Sequence, residues 1–311
     1  MTNLIVGSVE EKKELILKKL GLDFTIVKSQ MYVNVKSEDG FGVDQVETPY
    51  FGLYNDKAKK VINSVKDSYH VSQNAQIVEM VLKGIEDFGD IRISNGGSIH
   101  DGRKVFIQIE IDGFARVGND KIKRFITVLD SNDGSSGLSV GIGDLTMSCA
   151  NQFFKFYKAG EMKSKHTGKL GAMIYEFPAL ISMALSNSMK LVDAYKTFER
   201  TPCTNELVHT MVHNIVGFDR MFTPKDVLEA KTGKAKANMD NLYRNIETET
   251  NQKGFNLWGL HSGVTRWTTH DKQAPNRNNG RIESIISGTN YKVNQKSLDF
   301  VLKQVGLELA M

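Results

Sequence analysis

Residues 101–111 read DGRKVFIQIEI, and this stretch decides the fold class. Asp101-Gly102 signals a two-residue hairpin turn, because both residues tolerate the positive φ that such turns demand. After the turn, Val105, Ile107, Ile109 and Ile111 alternate with Phe106, Gln108 and Glu110. A period of two places the aliphatic set on one face of a strand and leaves the other face mixed. A further strand is predicted over Phe125–Leu129, turning through DSNDGSSG at 130–137. Its partner carries Leu138, Val140 and Ile142 on one parity, then Leu145 and Met147 on the other. That flip at Gly143-Asp144 predicts a bulge or a strand end. Upstream, residues 24–35 and 50–54 are strand-like, with an acidic, glycine-containing loop over 37–48 and a turn at Asn55-Asp56.

Helices flank this sheet. Residues 10–20 form a short amphipathic helix stopped by Gly21. Ser72 is the expected N-cap of a second, whose Ile77, Val81, Ile85 and Phe88 keep helical spacing before Gly89. Ala150, Phe153, Phe154 and Tyr157 make an apolar stripe that predicts another helix, with Asn151, Lys155 and Lys158 on a different face. A long helix follows from about 170 to 199, with Phe177, Ile181, Leu185, Val192 and Tyr195 inward, then one over 201–216. Thr223-Pro224-Lys225-Asp226 looks like a capping box, and a last helix starts near Asn294 with Leu298, Val301, Leu302 and Val305 on one side. Sheet first and helices after argue for an α+β fold, an antiparallel sheet in the N-terminal half packed against a mainly helical C-terminal half. The expected divisions are a strand-containing segment over 1–65, a helix plus antiparallel sheet over 66–160, and a helical region over 161–311, together one compact unit.

The chain of 311 residues is long enough for a sizeable core, and its apolar content of 40% is that of a globular protein. Its apolar runs fall well short of the ~20 residues of a membrane span, and its N-terminal order of residues reverses that of a signal peptide. Two cysteines, Cys149 and Cys203, make no disulfide framework. The expected location is the cytoplasm, with no membrane partner. The net charge of +4 is unevenly spread: residues 1–120 hold 15 Lys and Arg against 18 Asp and Glu, and the remainder 25 against 18. The basic excess lies in the C-terminal three-fifths, which is compatible with nucleic acid.

Each chemical candidate has a plainer counterpart. His209 and His213 share a helix face, but Thr210 stands where a metalloprotease helix needs Glu and no third ligand is placed, so no metal is expected. Cys149 sits at a strand-to-helix junction, where a nucleophile and a packed core thiol are both possible. The glycine pairs at Gly96-Gly97 and Gly141/Gly143 lack the Gly-Lys-Ser/Thr of a phosphate loop, and Thr167-Gly168-Lys169-Leu170 ends in leucine. No cofactor is expected, and no catalytic residue is assigned. Asp130, Asp133 and Asp144 are candidate Mg²⁺ ligands or simply turn residues.

Residues 151–170 are the most informative. They hold five lysines against one acid, Glu161, interleaved with Phe153, Phe154, Phe156 and Tyr157. Lysines neutralise phosphates and aromatics stack on unpaired bases, a combination suited to single-stranded nucleic acid. The plainer reading is that the aromatics are core and the lysines a solvated face. The expected nucleic-acid-binding residues are Lys155, Lys158, Lys163, Lys165, His166, Lys169, Phe156 and Tyr157, joined by Arg266 and Arg277 from a second basic cluster that includes Lys272 and Arg281.

Several segments taken together resemble one family: LGLDF at 20–24, YHVSQN at 69–74, DSNDGS at 130–135, SCAN at 148–151, KHTG at 165–168, LWGLHSGVTRW at 257–267, and RIES at 281–284 with Gly288. They are similar to the phage/plasmid-like family built on a domain of unknown function, over roughly residues 20–305. The resemblance implies a mobile-element setting, hence the host cytoplasm, and a nucleic-acid-related role without agreed catalytic residues. It also marks Tyr69, His70, Asn74, Asp133, Gly134, Asn151, His166 and Gly168 as candidates for a functional surface. The order helix, β-meander, helix is similar to that of single-strand annealing proteins, which work as oligomeric rings, so a homo-oligomer is compatible with it. The leading expectation is single-stranded DNA binding or annealing in replication or recombination. The alternatives are a metal-dependent enzyme acting on nucleic acid or a nucleotide, and a structural or host-interaction phage protein.

Overall fold

A computed structural model of the chain describes residues 8–38, 41–135, 137–156, 170–216, 233–272 and 280–309. It is an α+β protein, with antiparallel sheet in the N-terminal half and mostly helices in the C-terminal half. Helix α1 (Val9–Leu20) precedes strands β1 (Ile26–Lys36), β2 (Val43–Asn55) and β3 (Lys60–Val65), and then α2 (Asn74–Ile85). Next come β4 (Ile91–Ile99), β5 (Lys104–Val117), β6 (Asp120–Ser131), β7 (Ser139–Thr146) and β8 (Asn151–Phe156). Helices α3 (Leu170–Arg200), α4 (Asn205–Val216), α5 (Gly233–Lys253) and α6 (Leu257–Arg266) follow. A π-helical turn (Trp267–Asp271), α7 (Gly280–Ile286) and α8 (Thr289–Gln304) complete the described elements. Strands β1–β3 form one sheet and β4–β8 a five-stranded meander, each strand beside its chain neighbour. The chain divides into two compact units, and β5, β6, β7 and α3 pass through both.

In the first unit, local chemistry sets the element ends. Ser8 caps α1 by accepting from the Glu11 amide at 3.3 Å while its own amide donates to the Glu11 carboxylate at 2.8 Å, and Gly21 ends the helix at φ 64°. Arg103 N donates to His100 O across Asp101 and Gly102, whose φ values of 58° and 94° are those of the expected hairpin turn. Helix α2 starts later than expected: Ser72 is buried one residue before the cap, which is Gln73. The Gln73 side chain is committed elsewhere, bonding both backbone groups of Ile26 at 3.1 and 2.9 Å, so β1 dictates where the helix begins. The loop expected over 37–48 is shorter, because β2 already begins at Val43.

The meander also corrects two expectations. Strand β7 has no bulge at Gly143-Asp144: its register against β8 runs without a shift from Gly141↔Phe156 to Thr146↔Asn151. Val140, Ile142, Asp144 and Thr146 are all buried on one parity, so the apparent flip came from an acid at an inward position. Residues 151–156 are strand, where the Phe153/Phe154 spacing predicted helix; pairing with β7 overrides a pattern that fits either structure.

Helix α2 buries Ile77, Val78, Met80 and Val81, and Gly84 on the same helix meets Phe177 of α3. A Cβ at Gly84 would lie 2.1 Å from Phe177 Cδ1, inside any real contact distance. Gly→Ala in a helix ordinarily stabilises by about 1 kcal/mol, whereas overpacking a core costs about 1–3 kcal/mol. Gly84→Ala is therefore expected to lower the melting temperature, and Gly84→Ala/Phe177→Leu to recover part of the loss, as read by thermal denaturation.

Candidate functional site

The second unit holds the described part of the lysine-bearing segment, on β8. In an antiparallel edge strand, alternate residues point their backbone groups away from the neighbouring strand. On β8 these are Gln152, Phe154 and Phe156, and a side chain bonds one outward group of each. Thr269 Oγ1 accepts from Gln152 N at 3.2 Å, Gln295 Nε2 donates to Phe154 O at 2.6 Å, and Tyr291 OH accepts from Phe156 N at 3.2 Å. The π turn and α8 thereby close an edge that would otherwise stay open to another strand.

Of the expected nucleic-acid-binding residues, Lys155 and Phe156 are half-buried on β8, and the Phe156 ring lies 5.9 Å from that of Tyr291. Arg266 ends α6 and pairs with Glu249 at 3.4 Å. Tyr157, Lys158, Lys163, Lys165, His166, Lys169 and Arg277 lie outside the described residues, as do Gly168 and the capping-box segment 223–226. The rest of the second basic cluster is engaged within the unit. Lys272 Nζ sits 4.8 Å from the Trp267 ring centre, and Arg281 donates to the carbonyls of Thr269 and His270. Those carbonyls belong to the π turn, so Arg281 supplies donors where the widened helix ends.

Asn290, Asn294 and Ser297 form a stripe on α8 at helical spacing, and all three are fully buried. Asn290 Nδ2 donates to Thr268 O at 2.7 Å, and Thr268 Oγ1 donates to Asn294 Oδ1 at 2.7 Å. Ser297 Oγ lies 2.9 Å from His261 Nδ1. His261 is buried against Phe153, Tyr195 and Trp258, and burial pushes its imidazole down to about 3, so it is neutral at physiological pH. Helix α6 reaches this position through small residues: a Cβ at Gly263 would meet Ile246 Cα of α5 at 2.4 Å.

Two buried acids complete the site. Tyr195 OH donates to Asp144 Oδ2 at 2.8 Å, and the Tyr195 ring stacks 4.6 Å from Trp258. Burial raises Asp144 to about 7 against a smaller opposing effect of the Tyr195 hydrogen bond. Asp120 accepts from Trp258 Nε1 at 2.8 Å, from Ser148 Oγ at 2.7 Å and from Lys253. Burial alone would raise Asp120, but the hydrogen bonds from Lys253, Ser148 and Trp258 outweigh it and hold the carboxyl below its ordinary range. Lys253 also reaches Glu249 at 3.4 Å, and Glu249 is fully buried.

The remaining candidates resolve into local structure. Cys149 is half-buried with its thiol pushed up by burial, and the His270 ring contacts the Cys149 carbonyl, not the thiol, at 2.9 Å. His209 Nδ1 lies 2.6 Å from Tyr243 OH, and no group of three metal-ligating side chains gathers among the described residues. In the first unit, Asp133 accepts from Ser135 N at 2.9 Å, Tyr69 donates to Ser131 O at 3.2 Å, and Asn74 donates to the carbonyls of Leu22 and Phe24. Asn151 does the same for Ser262 O at 3.2 Å in the second unit. Family-motif residues here tie backbone segments together. Sequence reasoning missed Asp120, Tyr195 as a hydrogen-bond donor, Glu249, Lys253 and His261; the one readable signal was the parity flip at Asp144.

A raised folded pKa means the native state holds the proton more tightly, so stability is lost as pH rises from the unfolded value near 4 to about 7. Asp144→Asn is expected to gain on the native chain by an amount that grows over that window and levels off above it, as read by melting temperature against pH. Lys253→Met leaves Asp120 buried without its cation and Glu249 with Arg266 alone, and is expected to cost about 3–5 kcal/mol in denaturant unfolding.

Among the described residues no helix is long and apolar enough to cross a membrane. No curated protein and no solved structure matches the chain. A family model described as a domain of unknown function (DUF932) matches residues 61–293, from β3 into the first turn of α8, and includes Asp120, Asp144 and His261. The match covers well over half of the sequence, and the chain belongs to the DUF932 family of domains of unknown function.

Proposed function

We propose that this chain binds nucleic acid, single-stranded DNA in preference, in the replication or recombination of a phage or plasmid, within the host cytoplasm. The observation that carries this reading is the composition of residues 151–170, five lysines and one acid interleaved with aromatics. Phe153 and Phe154 are buried and serve the core, so the stacking role falls to Phe156 and Tyr157. Lys155, Lys158, Lys163, Lys165 and Lys169 would each displace a counterion from a phosphate, and base–aromatic stacking would add about 1–3 kcal/mol per base without demanding a sequence. The engagement of Arg266, Lys272 and Arg281 by Glu249, Trp267 and backbone carbonyls concentrates the proposed contacts on the 151–170 lysines.

Fluorescence anisotropy with a labelled unpaired oligonucleotide tests this. Binding tighter than about 100 μM at low salt is expected, with a log–log salt slope near −3.5 if five phosphates are engaged. Exchanging Lys158, Lys163 and Lys165 for glutamine should flatten the slope by about 2. Affinity below that level, or indifference to salt, would remove the proposal.

A further inference from the structure

Strands β1 and β2 continue past the three-stranded sheet as a two-stranded ribbon. β3 pairs only with residues 51–55 of β2, so residues 32–36 and 43–47 have each other and, among the described residues, no further strand. Tyr32, Val33, Val35, Val43 and Val46 are exposed on this ribbon at 41% to 64%. An isolated hairpin is marginal in water, and open edges lined with β-branched residues are templates for pairing.

The two edges differ in chemistry. On β2, Asp44 and Glu47 flank the open edge and Pro49 removes a backbone donor, devices that discourage strand addition. On β1, residues 32–36 read YVNVK, with no acid and a single cation at the end. Self-pairing through β2 would gather four carboxylates; self-pairing through β1 gathers none. Faces then fix the register. Val33 lies opposite Val46 and Val35 opposite Asp44, so the three valines share one face, while Tyr32, Asn34 and Lys36 share the other. A one-residue slip would turn a partner's valines to the wrong face.

We propose that β1 pairs antiparallel with β1 of a second copy of this chain, about a two-fold axis through Asn34. In that register Val33 faces the partner's Val35, which sets two adjacent rows of three valines (Val46, Val33 and the partner's Val35), each ended by the Asp44 that lies opposite Val35. Asn34 meets the partner's Asn34, and the Tyr32 ring lies opposite the partner's Lys36, an aromatic–cation pair. The two arms run in opposite directions, which carries the bodies to opposite ends of the ribbon. The proposal stands apart from nucleic-acid binding, and the ribbon precedes the family-matched residues.

Cysteine cross-linking tests the register directly. Residues facing each other across strands have Cβ atoms about 4.5–5.5 Å apart, close to disulfide geometry. Under mild oxidation Asn34→Cys is expected to form a covalent dimer on non-reducing gels at least about tenfold faster than Gln45→Cys on the β2 edge, because pairing raises the local thiol concentration. The unaltered chain, with Cys149 and Cys203 only, is the control. In sedimentation, Val33→Lys should shift the native dimer to monomer while the far-ultraviolet circular dichroism stays that of the unaltered chain, since Val33 is solvent-exposed in the single chain. Equal cross-linking at positions 34 and 45, none at 34, or a dimer that survives Val33→Lys would each overturn the proposal.

Discussion

One buried carboxylate organises the second unit. Asp120 is the first residue of β6, and its three partners come from the β7–β8 turn, the last residue of α5 and the first turn of α6. An ionised carboxylate out of water is tolerable only when its lone pairs are met by donors and its charge by a cation. Ser148, Trp258 and Lys253 meet both demands, so four chain segments converge on this carboxylate. Trp258 extends the constraint: its indole N–H serves Asp120 while its ring stacks on Tyr195, which in turn holds Asp144.

A second consequence is the closed edge of β8. Thr269, Gln295 and Tyr291 each bond one outward backbone group of β8, so the last strand of the meander is engaged by side chains where another strand would otherwise pair. In the first unit the contrast is instructive, because the β1–β2 ribbon has open edges of which only the β2 edge is guarded by charge. Both features concern what a sheet edge is permitted to meet.

The legible parts of the molecule were those governed by neighbours in sequence. The strand at 105–111, the Asp101-Gly102 turn, the Gly21 stop and the long helix through Tyr195 all follow from local sterics and periodicity. Residues 151–156 were misread because a Phe-Phe pair satisfies both a strand and a helix period, and only β7 decides between them. The site was harder still. Its polar members look solvent-facing by composition: Asn290, Asn294 and Ser297 would be assigned to the wet face of α8, yet they are its most buried residues.

By itself, then, the sequence determined fold class, most element identities and the position of its lysine-rich segment, since hydrophobic period, turn chemistry and charge are written residue by residue. Tertiary structure alone decided which polar groups go inside. The physical reason is that a buried Asp, Asn or His is stable only beside its hydrogen-bond partner, and those partners lie far along the chain: Asp120 with Lys253 and Trp258, Asp144 with Tyr195, His261 with Ser297.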